Sequence, residues 1–150
     1  MALVVDASVG LKLVLEEPDS HLAEALVRIE PDLLAPDFWL NEAISVLWLQ
    51  TRRKLLTPDE AREGLALLRA QVEPTPTAHM RLHEVALDIG IAANHSTYDT
   101  MYLAFAIAMG ARAVVTADGA FVRSMQTHPD ATLSAMMLSL EAWAKSQGAG

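Results

Sequence analysis

Apolar residues along the chain follow two spacings, short unbroken runs and longer stretches in which they recur at helical intervals. The runs at 2–6 (ALVVD) and 112–118 (RAVVTAD) predict buried strands that each end in a carboxylate. Weaker signals indicate two further strands near 72–75 and 132–136. Helical spacing predicts the remaining elements, which we place at about 8–16, 20–29, 37–54, 58–71, 78–92, 97–110 and 138–147.

Capping residues mark several of these boundaries. The sequence TPDE at 57–60 is typical of a capping box with proline in the first helical turn. Thr77 is predicted to cap the next helix, which Gly90 and Asn94 would help to end, and Gly110 is predicted to end the helix after it. Short strands that alternate with helices predict an α/β domain in which helices cover both faces of a parallel sheet.

Length and composition restrict the class of protein. With 150 residues, 52% of them hydrophobic, the chain is expected to form one domain with its own core. Charges interrupt the apolar stretches before the roughly 20 residues that a membrane span needs, and residues 1–10 lack the basic start of a signal peptide. The absence of cysteine excludes disulfides and thiolate metal sites. We therefore expect a cytoplasmic protein that does not enter the membrane.

The net charge of −8 limits how the chain could bind a nucleic acid. Proteins that hold nucleic acid through a broad phosphate-binding face are normally basic. Any such contact made by this chain is expected to be local or assisted by bound cations. The same acidic surface would suit a basic protein partner.

Asp99 interrupts the apolar face of a predicted helix in the segment STYDTMYLAFAIAMG at 96–110. The residues that follow it on that face include Tyr102, Leu103 and Ala106. A carboxylate on a buried face is unfavourable unless something compensates its charge. A local explanation also exists, because STYD matches a capping pattern in which Asp99 would bond an amide of the first turn.

Three further carboxylates could lie close to Asp99. Asp6 and Asp118 end the two predicted strands, and Glu42 shares a helical face with Phe38. Taken singly, each has a local explanation, a helix cap for the two aspartates and an exposed position for the glutamate. Parallel strands, however, bring their carboxyl ends to one edge of a sheet, where ligands bind. Carboxylates that converge there would repel one another unless hard divalent cations such as Mg²⁺ neutralise them.

Four segments in this order resemble PIN-domain nucleases and, within them, the VapC-type ribonuclease toxins of type II toxin–antitoxin systems. The segments are VVDASV at 4–9, APDFWLNEAISVLW at 35–48, STYDTMYLAFA at 96–106 and AVVTAD at 113–118. The ordered set is more specific than any single segment, and the resemblance covers nearly the whole chain. It implies one PIN-like domain over 1–150, with a three-layer α/β/α fold around a short, mostly parallel central sheet.

The resemblance also implies an activity and the residues that carry it. Members of the family cleave RNA with Mg²⁺ or Mn²⁺, generally form homodimers and are inhibited by a cognate antitoxin, here a VapB-like one. Four acids match the family's metal-site positions, and two small hydroxyls match the positions beside the first and last acid. The acids are Asp6, Glu42, Asp99 and Asp118, and the hydroxyls are those of Ser8 and Thr116.

The reaction implied by this resemblance is metal-assisted hydrolysis of an RNA phosphodiester bond by water, with 5′-phosphate and 3′-hydroxyl products. We expect Asp6 and Asp99 to be direct metal ligands. Glu42 and Asp118 could bind the metal directly or through water. This mechanism needs no nucleophilic side chain, so the lack of a cysteine or histidine constellation is no objection to it.

A second function stays open beside the nuclease. The acidic cleft could belong to a non-catalytic interaction module that only receives a basic partner protein. A phosphatase of the haloacid dehalogenase type is disfavoured, because Ser8 occupies the position of its second aspartate. His79 and His83 have the spacing of transition-metal ligands but no evident third ligand. His95, one turn before Asp99, could border the site, although an ordinary loop residue is the favoured interpretation.

Overall fold

The sheet of the protein is short and fully parallel. The computed structural model describes residues 1–148, which contain the strands β1 (Leu3–Val5), β2 (Leu33–Pro36), β3 (Pro74–Thr75), β4 (Ala113–Thr116) and β5 (Met137–Ser139). Across the sheet these strands lie in the order β3-β2-β1-β4-β5. Each neighbouring pair runs parallel, so the predicted parallel sheet is confirmed.

Helices connect the strands and flank the sheet. They are α1 (Ala7–Leu11), α2 (Ser20–Ile29), α3 (Trp39–Arg52), α4 (Pro58–Gln71), α5 (Leu82–Ala93), α6 (Thr97–Met109), α7 (Gly119–Gln126), α8 (Ala131–Ala135) and α9 (Leu140–Gly148). After β3 the chain returns to place β4 beside β1, so the direction of strand addition reverses. Right-handed crossovers in opposite directions put their helices on opposite faces. The result is the three-layer α/β/α architecture, as predicted.

The reversal of strand order lies between β1 and β4. Val5 pairs with Val115, so the next residues, Asp6 and Thr116, come opposite each other at the carboxyl edge. From this point the chain enters α1 after one strand and α7 after the other. Parallel sheets bind ligands in the crevice at such a point, and the fold therefore brings the two predicted strand-end acids to one place.

The apolar sequences of β1 and β4 suit their central position in the sheet. β1 and β4 are buried along their whole length, as expected for apolar runs in a sheet that is covered on both faces. Helix α6 packs against both strands and buries Tyr102 and Phe105 completely. Its first turn is thereby held near the carboxyl edge of the sheet. None of the helices between residues 1 and 148 is long and apolar enough to cross a membrane.

The strand predicted near 132–136 is wrong. These residues belong mainly to α8, because the carboxylate of Asp130 accepts the amide N–H of Thr132 at 2.9 Å and caps a helix there. The strand comes directly afterwards as β5. The strand predicted near 72–75 is confirmed in shorter form as β3. No predicted element corresponds to β2, whose run of four residues ends in proline.

Several helix boundaries also differ from the prediction. Helix α5 begins only at Leu82, because Thr77 donates its hydroxyl to Asp37 at 2.7 Å and does not cap the helix. Gly90 lies inside that helix, whereas Asn94 ends it in the left-handed conformation, as Gly110 does for α6. The predicted capping box at the start of α4 is confirmed, with both of its hydrogen bonds present.

Candidate acidic active site

Asp6 is the buried centre of the carboxyl edge. Its Oδ1 accepts hydrogen bonds from the Ser8 hydroxyl at 2.5 Å and from the Val9 amide at 3.2 Å, and its Oδ2 accepts one from the Thr116 hydroxyl at 2.5 Å. Burial raises the pKa of Asp6 to about 6, against the opposing effect of these bonds, and the negative charge of Asp99 adds to the rise. The side chain is thus held in place by three donors, while its ionised form is less favourable than that of an exposed aspartate.

The two small hydroxyls join the ends of β1 and β4. Ser8 Oγ accepts the amide N–H of Ala117 at 2.9 Å, and Thr116 Oγ1 accepts the amide N–H of Asp118 at 3.0 Å. Since both hydroxyls donate to Asp6, they fix the positions of their own strand exits and of the carboxylate together. The structure therefore places Ser8 and Thr116 in contact with the first acid, at the positions that the sequence singled out.

Glu42 approaches the same edge from α3. Burial raises its pKa to about 7, and the charges of Asp99 and Asp6 contribute next. The neighbouring Tyr102 hydroxyl is buried and makes no hydrogen bond of standard length within residues 1–148. Burial, followed by the charges of Glu42 and Asp6, raises the pKa of Tyr102 above its usual range. The Tyr102 hydroxyl still lies close enough to the Glu42 carboxylate to lower the pKa of Glu42.

Asp99 lies in the first turn of α6, and its side chain does not cap the helix. Ser96 does so by accepting the amide N–H of Tyr98 at 3.3 Å. Instead, Asp99 Oδ2 lies 2.7 Å from Nε2 of His95. Burial raises the pKa of Asp99, His95 opposes this, and the charge of Asp118 increases it.

Asp118 has a structural task as well as a place at this edge. Its Oδ1 accepts the amide N–H groups of Ala120 at 3.0 Å and Phe121 at 3.4 Å and so caps α7. Its charge nevertheless acts on Asp99. The local explanation, a helix cap, therefore describes Asp118 correctly without removing it from the acidic group.

The charge of Asp99 is coupled to each of the other three acids, but the four carboxylates are not packed tightly. Within the described part of the chain, no three histidine or acidic side chains are close enough to form a ready-made metal cage. Mg²⁺ rarely uses such a cage, because it keeps several waters and binds one or two carboxylates together with substrate phosphate. Acids whose pKa values are raised by burial and by one another's charge fit a hard cation with oxygen ligands.

His95 lies in a loop, as predicted, and it also borders the group of acids. It contacts Asp99 directly, and its Nδ1 lies 2.9 Å from Ser124 Oγ. The available signal was the four-residue spacing between His95 and Asp99, which can bring two side chains together across a helix start. The residue lies in the turn between α5 and α6, where helical spacing is an uncertain guide.

A cavity of about 680 Å³ opens beside the acids, and Glu42 forms part of its wall. Most of the lining comes from α5 and α6, including Leu87, Tyr98 and Met101, and Arg81 lines it just before α5 begins. His79 and His83, which the sequence raised as possible metal ligands, join no metal-binding cluster in residues 1–148.

Comparison with known proteins identifies the class to which this fold and site belong. The sequence profile of the PIN domain matches residues 3–124. The chain is a member of the PIN domain family. No curated protein sequence matches it significantly.

Two solved structures resemble the fold over nearly its whole length. One is PAE2754 from Pyrobaculum aerophilum, with a TM-score of 0.70 and 17% identity, covering 100% of this chain and 91% of that one. The other is VapBC2 from Rickettsia felis bound to a DNA fragment from its promoter, with a TM-score of 0.65 and 13% identity. That match covers 93% of this chain and 98% of the other. At these identities the likeness concerns the fold.

Proposed function

We propose that the chain is a metal-dependent endoribonuclease, the toxin component of a toxin–antitoxin pair, acting in the cytoplasm. The observation that carries this proposal is the group of mutually repelling acids at the point where strand order reverses. Membership of the PIN domain family supports nuclease chemistry, and the structural likeness to VapBC2 supports the toxin–antitoxin setting. RNA is the proposed substrate.

The four acids would bind the metal at the scissile phosphate in different ways. Asp6 and Asp99 would hold the metal directly, with Glu42 and Asp118 binding it directly or through water. When bound, Mg²⁺ or Mn²⁺ supplies positive charge for the phosphate oxygens and lowers the pKa of water. Ser8 and Thr116 keep Asp6 in place through the hydrogen bonds described above.

The carboxylate of Glu42 also forms part of the wall of the adjacent cavity, which is where we place the RNA strand. The products would carry 5′-phosphate and 3′-hydroxyl ends.

The partners follow from the surface around the site. The net charge of −8 and the largely apolar cavity beside Glu42 support binding of a basic, amphipathic segment of a VapB-like antitoxin. An arginine of that segment could pair with the acids. Exposed apolar side chains on the helices, among them Trp48 and Ile91, support a homodimer, which sedimentation of the purified chain would test.

The function is tested by incubating purified protein with structured RNA and Mg²⁺ or Mn²⁺. We expect cleavage that chelation abolishes and that both Asp6→Asn and Asp99→Asn reduce by about 10²-fold or more, since each removes a ligand charge. Asp59→Asn is the matched control, because this aspartate is 90% exposed on α4. The product of an adjacent short reading frame should inhibit cleavage if it is the antitoxin.

A folded wild-type protein that cleaves no RNA with either metal, yet binds a basic partner, would favour the non-catalytic interaction module instead. Cleavage by Asp99→Asn at the rate of the Asp59→Asn control would contradict the assignment of the site. Thermal unfolding of each variant separates a lost ligand from a lost fold.

A further inference from the structure

His95 is held more firmly than a turn residue needs to be. Its two ring nitrogens contact Asp99 Oδ2 at 2.7 Å and Ser124 Oγ at 2.9 Å. Its ring lies almost parallel to that of Phe121, with 5.1 Å between centroids and 10° between planes. Only 12% of the side chain is exposed. Two hydrogen bonds and a stacked ring therefore determine where the imidazole points.

The hydrogen-bonding roles follow from the chemistry of the partners. An ionised carboxylate only accepts hydrogen bonds, so Nε2 carries the proton and donates it to Asp99. The Ser124 hydroxyl can donate to Nδ1 and thereby favours this tautomer. Asp99 Oδ1 takes part in no hydrogen bond within the described residues, while Oδ2 is engaged. The contact with His95 thus restricts the rotation of the carboxylate and leaves one oxygen available.

We propose that His95 is a positioning residue of the metal site, which orients Asp99 so that Oδ1 is directed to the cation while Ser124 and Phe121 hold the imidazole. This inference rests on the proposed function, because it requires Asp99 to be a metal ligand. Hydrogen-bonded partners of metal ligands fix ligand orientation and strengthen metal binding. His95 acts through Asp99 and does not contact the RNA.

A purely structural role predicts a different outcome. If His95 only fills space against Phe121, its removal would lower stability and leave metal affinity unchanged in the folded protein. If it orients Asp99, removal would weaken metal binding even where the protein remains folded. A side chain that restores only the donor should then restore the affinity.

The experiment measures Mn²⁺ binding to the purified full chain by calorimetry, without RNA, for the wild type and five variants, one of which is Asp99→Asn. We expect His95→Ala to weaken binding about 10- to 100-fold. His95→Gln, whose amide N–H can replace Nε2–H, should recover most of this loss. Ser124→Ala should show a smaller loss, because Nε2 still donates. His128→Gln is the control, since this histidine only accepts the Asp130 amide.

Cleavage assays give a second readout. For His95→Ala, the Mg²⁺ concentration at half-maximal rate should rise, while the rate at saturating Mg²⁺ changes little. Unchanged Mn²⁺ affinity in folded His95→Ala, or equal losses in His95→Ala and His95→Gln, would overturn the positioning role. If His95→Ala does not fold, His95→Gln and Ser124→Ala replace it. Mn²⁺ affinity that Ser124→Ala leaves unchanged, or that His95→Gln loses more than Ser124→Ala does, would then overturn the positioning role.

The proposed function fails in a recognisably different way. If the wild type binds no Mn²⁺, or if Asp99→Asn binds it as well as the wild type, the metal site itself is wrong, and the positioning role is overturned with it. If Asp99→Asn loses binding but His95→Ala keeps it, the metal site stands and only the inference about His95 is refuted.

Discussion

At the scale of single residues, the site consists of carboxylates that have local tasks and still repel one another. Asp6 and Asp118 do cap α1 and α7, as the local explanation proposed, whereas Asp99 bonds to His95 and leaves capping to Ser96. A cap accounts for one or two lone pairs of a carboxylate and leaves the others free. One carboxylate can therefore cap a helix and still have lone pairs left for a metal.

Glu42 provides a prediction at this scale, because its pKa is raised to about 7, first by burial and then by Asp99 and Asp6. A carboxyl whose pKa is higher in the folded than in the unfolded protein stabilises the fold most at a pH below its unfolded pKa. This stabilisation is lost as the pH rises through the pKa of the folded protein. In EDTA, the metal-free wild type should thus lose stability between about pH 4.5 and 7. We expect Glu42→Gln to reduce this loss by about 1 kcal/mol, allowing for partial exposure.

Urea unfolding at pH 5 and at pH 8 would measure this loss of stability for the wild type and for Glu42→Gln. Glu60→Gln, a variant of an exposed glutamate in the capping box of α4, is a useful comparison, because it should lower stability at both pH values by a similar amount. A stability of wild type that increases from pH 5 to pH 8 in EDTA would contradict the prediction.

At the scale of elements, the parts that could be predicted from sequence are those that depend on local pattern. Apolar runs predicted β1 and β4, and parallel pairing then brings their final acids to one edge. β2 was missed, since four residues ending in proline give little periodicity. Distances between the acids depend on how α3 and α6 pack against the sheet, which no spacing along the chain determines. The contact of His95 with Ser124, 29 residues further on, was unpredictable for the same reason.

The contact between α1 and α3 gives a prediction at this scale, because it sets how closely Asp6 and Glu42 approach. A Cβ added to Gly10 would lie 2.6 Å from the ring of Trp39, which is fully buried. We expect Gly10→Ala to lower stability by about 1–3 kcal/mol, because overpacking must displace the ring or separate the helices. RNA cleavage should fall as well, since Asp6 caps α1 and Glu42 lies on α3.

Gly64→Ala is the matched control for this substitution. Gly64 lies inside α4, and an added Cβ would meet Leu47 at 3.5 Å, an ordinary contact. Replacing glycine by alanine within a helix should raise stability by about 0.5–1 kcal/mol. If thermal unfolding gives both variants the same midpoint as wild type, the close approach of α1 to α3 is not a constraint on the site.

At the scale of the whole molecule, the proposed cleavage of RNA requires an acidic chain to attract an acidic substrate. The net charge is −8, and the nearby positive groups are few: Arg81 lines the cavity, and Arg123 lies over Gly119, where an added Cβ would be 3.0 Å from its Nη1. The net charge therefore argues against steering of RNA by a broad basic face. Bound divalent cations would convert the most acidic part of the carboxyl edge into the place where phosphate can bind.

Metal binding should accordingly stabilise the protein in a way that depends on pH. At pH 8 the acids of the metal-free site are ionised and repel one another, so Mn²⁺ at about 100 times its dissociation constant should add about 2.7 kcal/mol to the free energy of unfolding. At pH 5 protons compete for Asp6 and Glu42, whose pKa values are raised to about 6 and about 7. The same Mn²⁺ concentration should then stabilise much less. Thermal unfolding with and without Mn²⁺ at the two pH values measures this difference.

Two controls separate a bound cation from general screening. KCl at matched ionic strength weakens repulsion between exposed charges at any position, so it should reproduce only a small part of the Mn²⁺ effect. Asp99→Asn should lose most of the effect at pH 8 while remaining folded, because a neutral amide removes one ligand and one source of repulsion. Equal stabilisation by KCl and Mn²⁺, or an undiminished Mn²⁺ effect in Asp99→Asn, would mean that the acids do not share an ion.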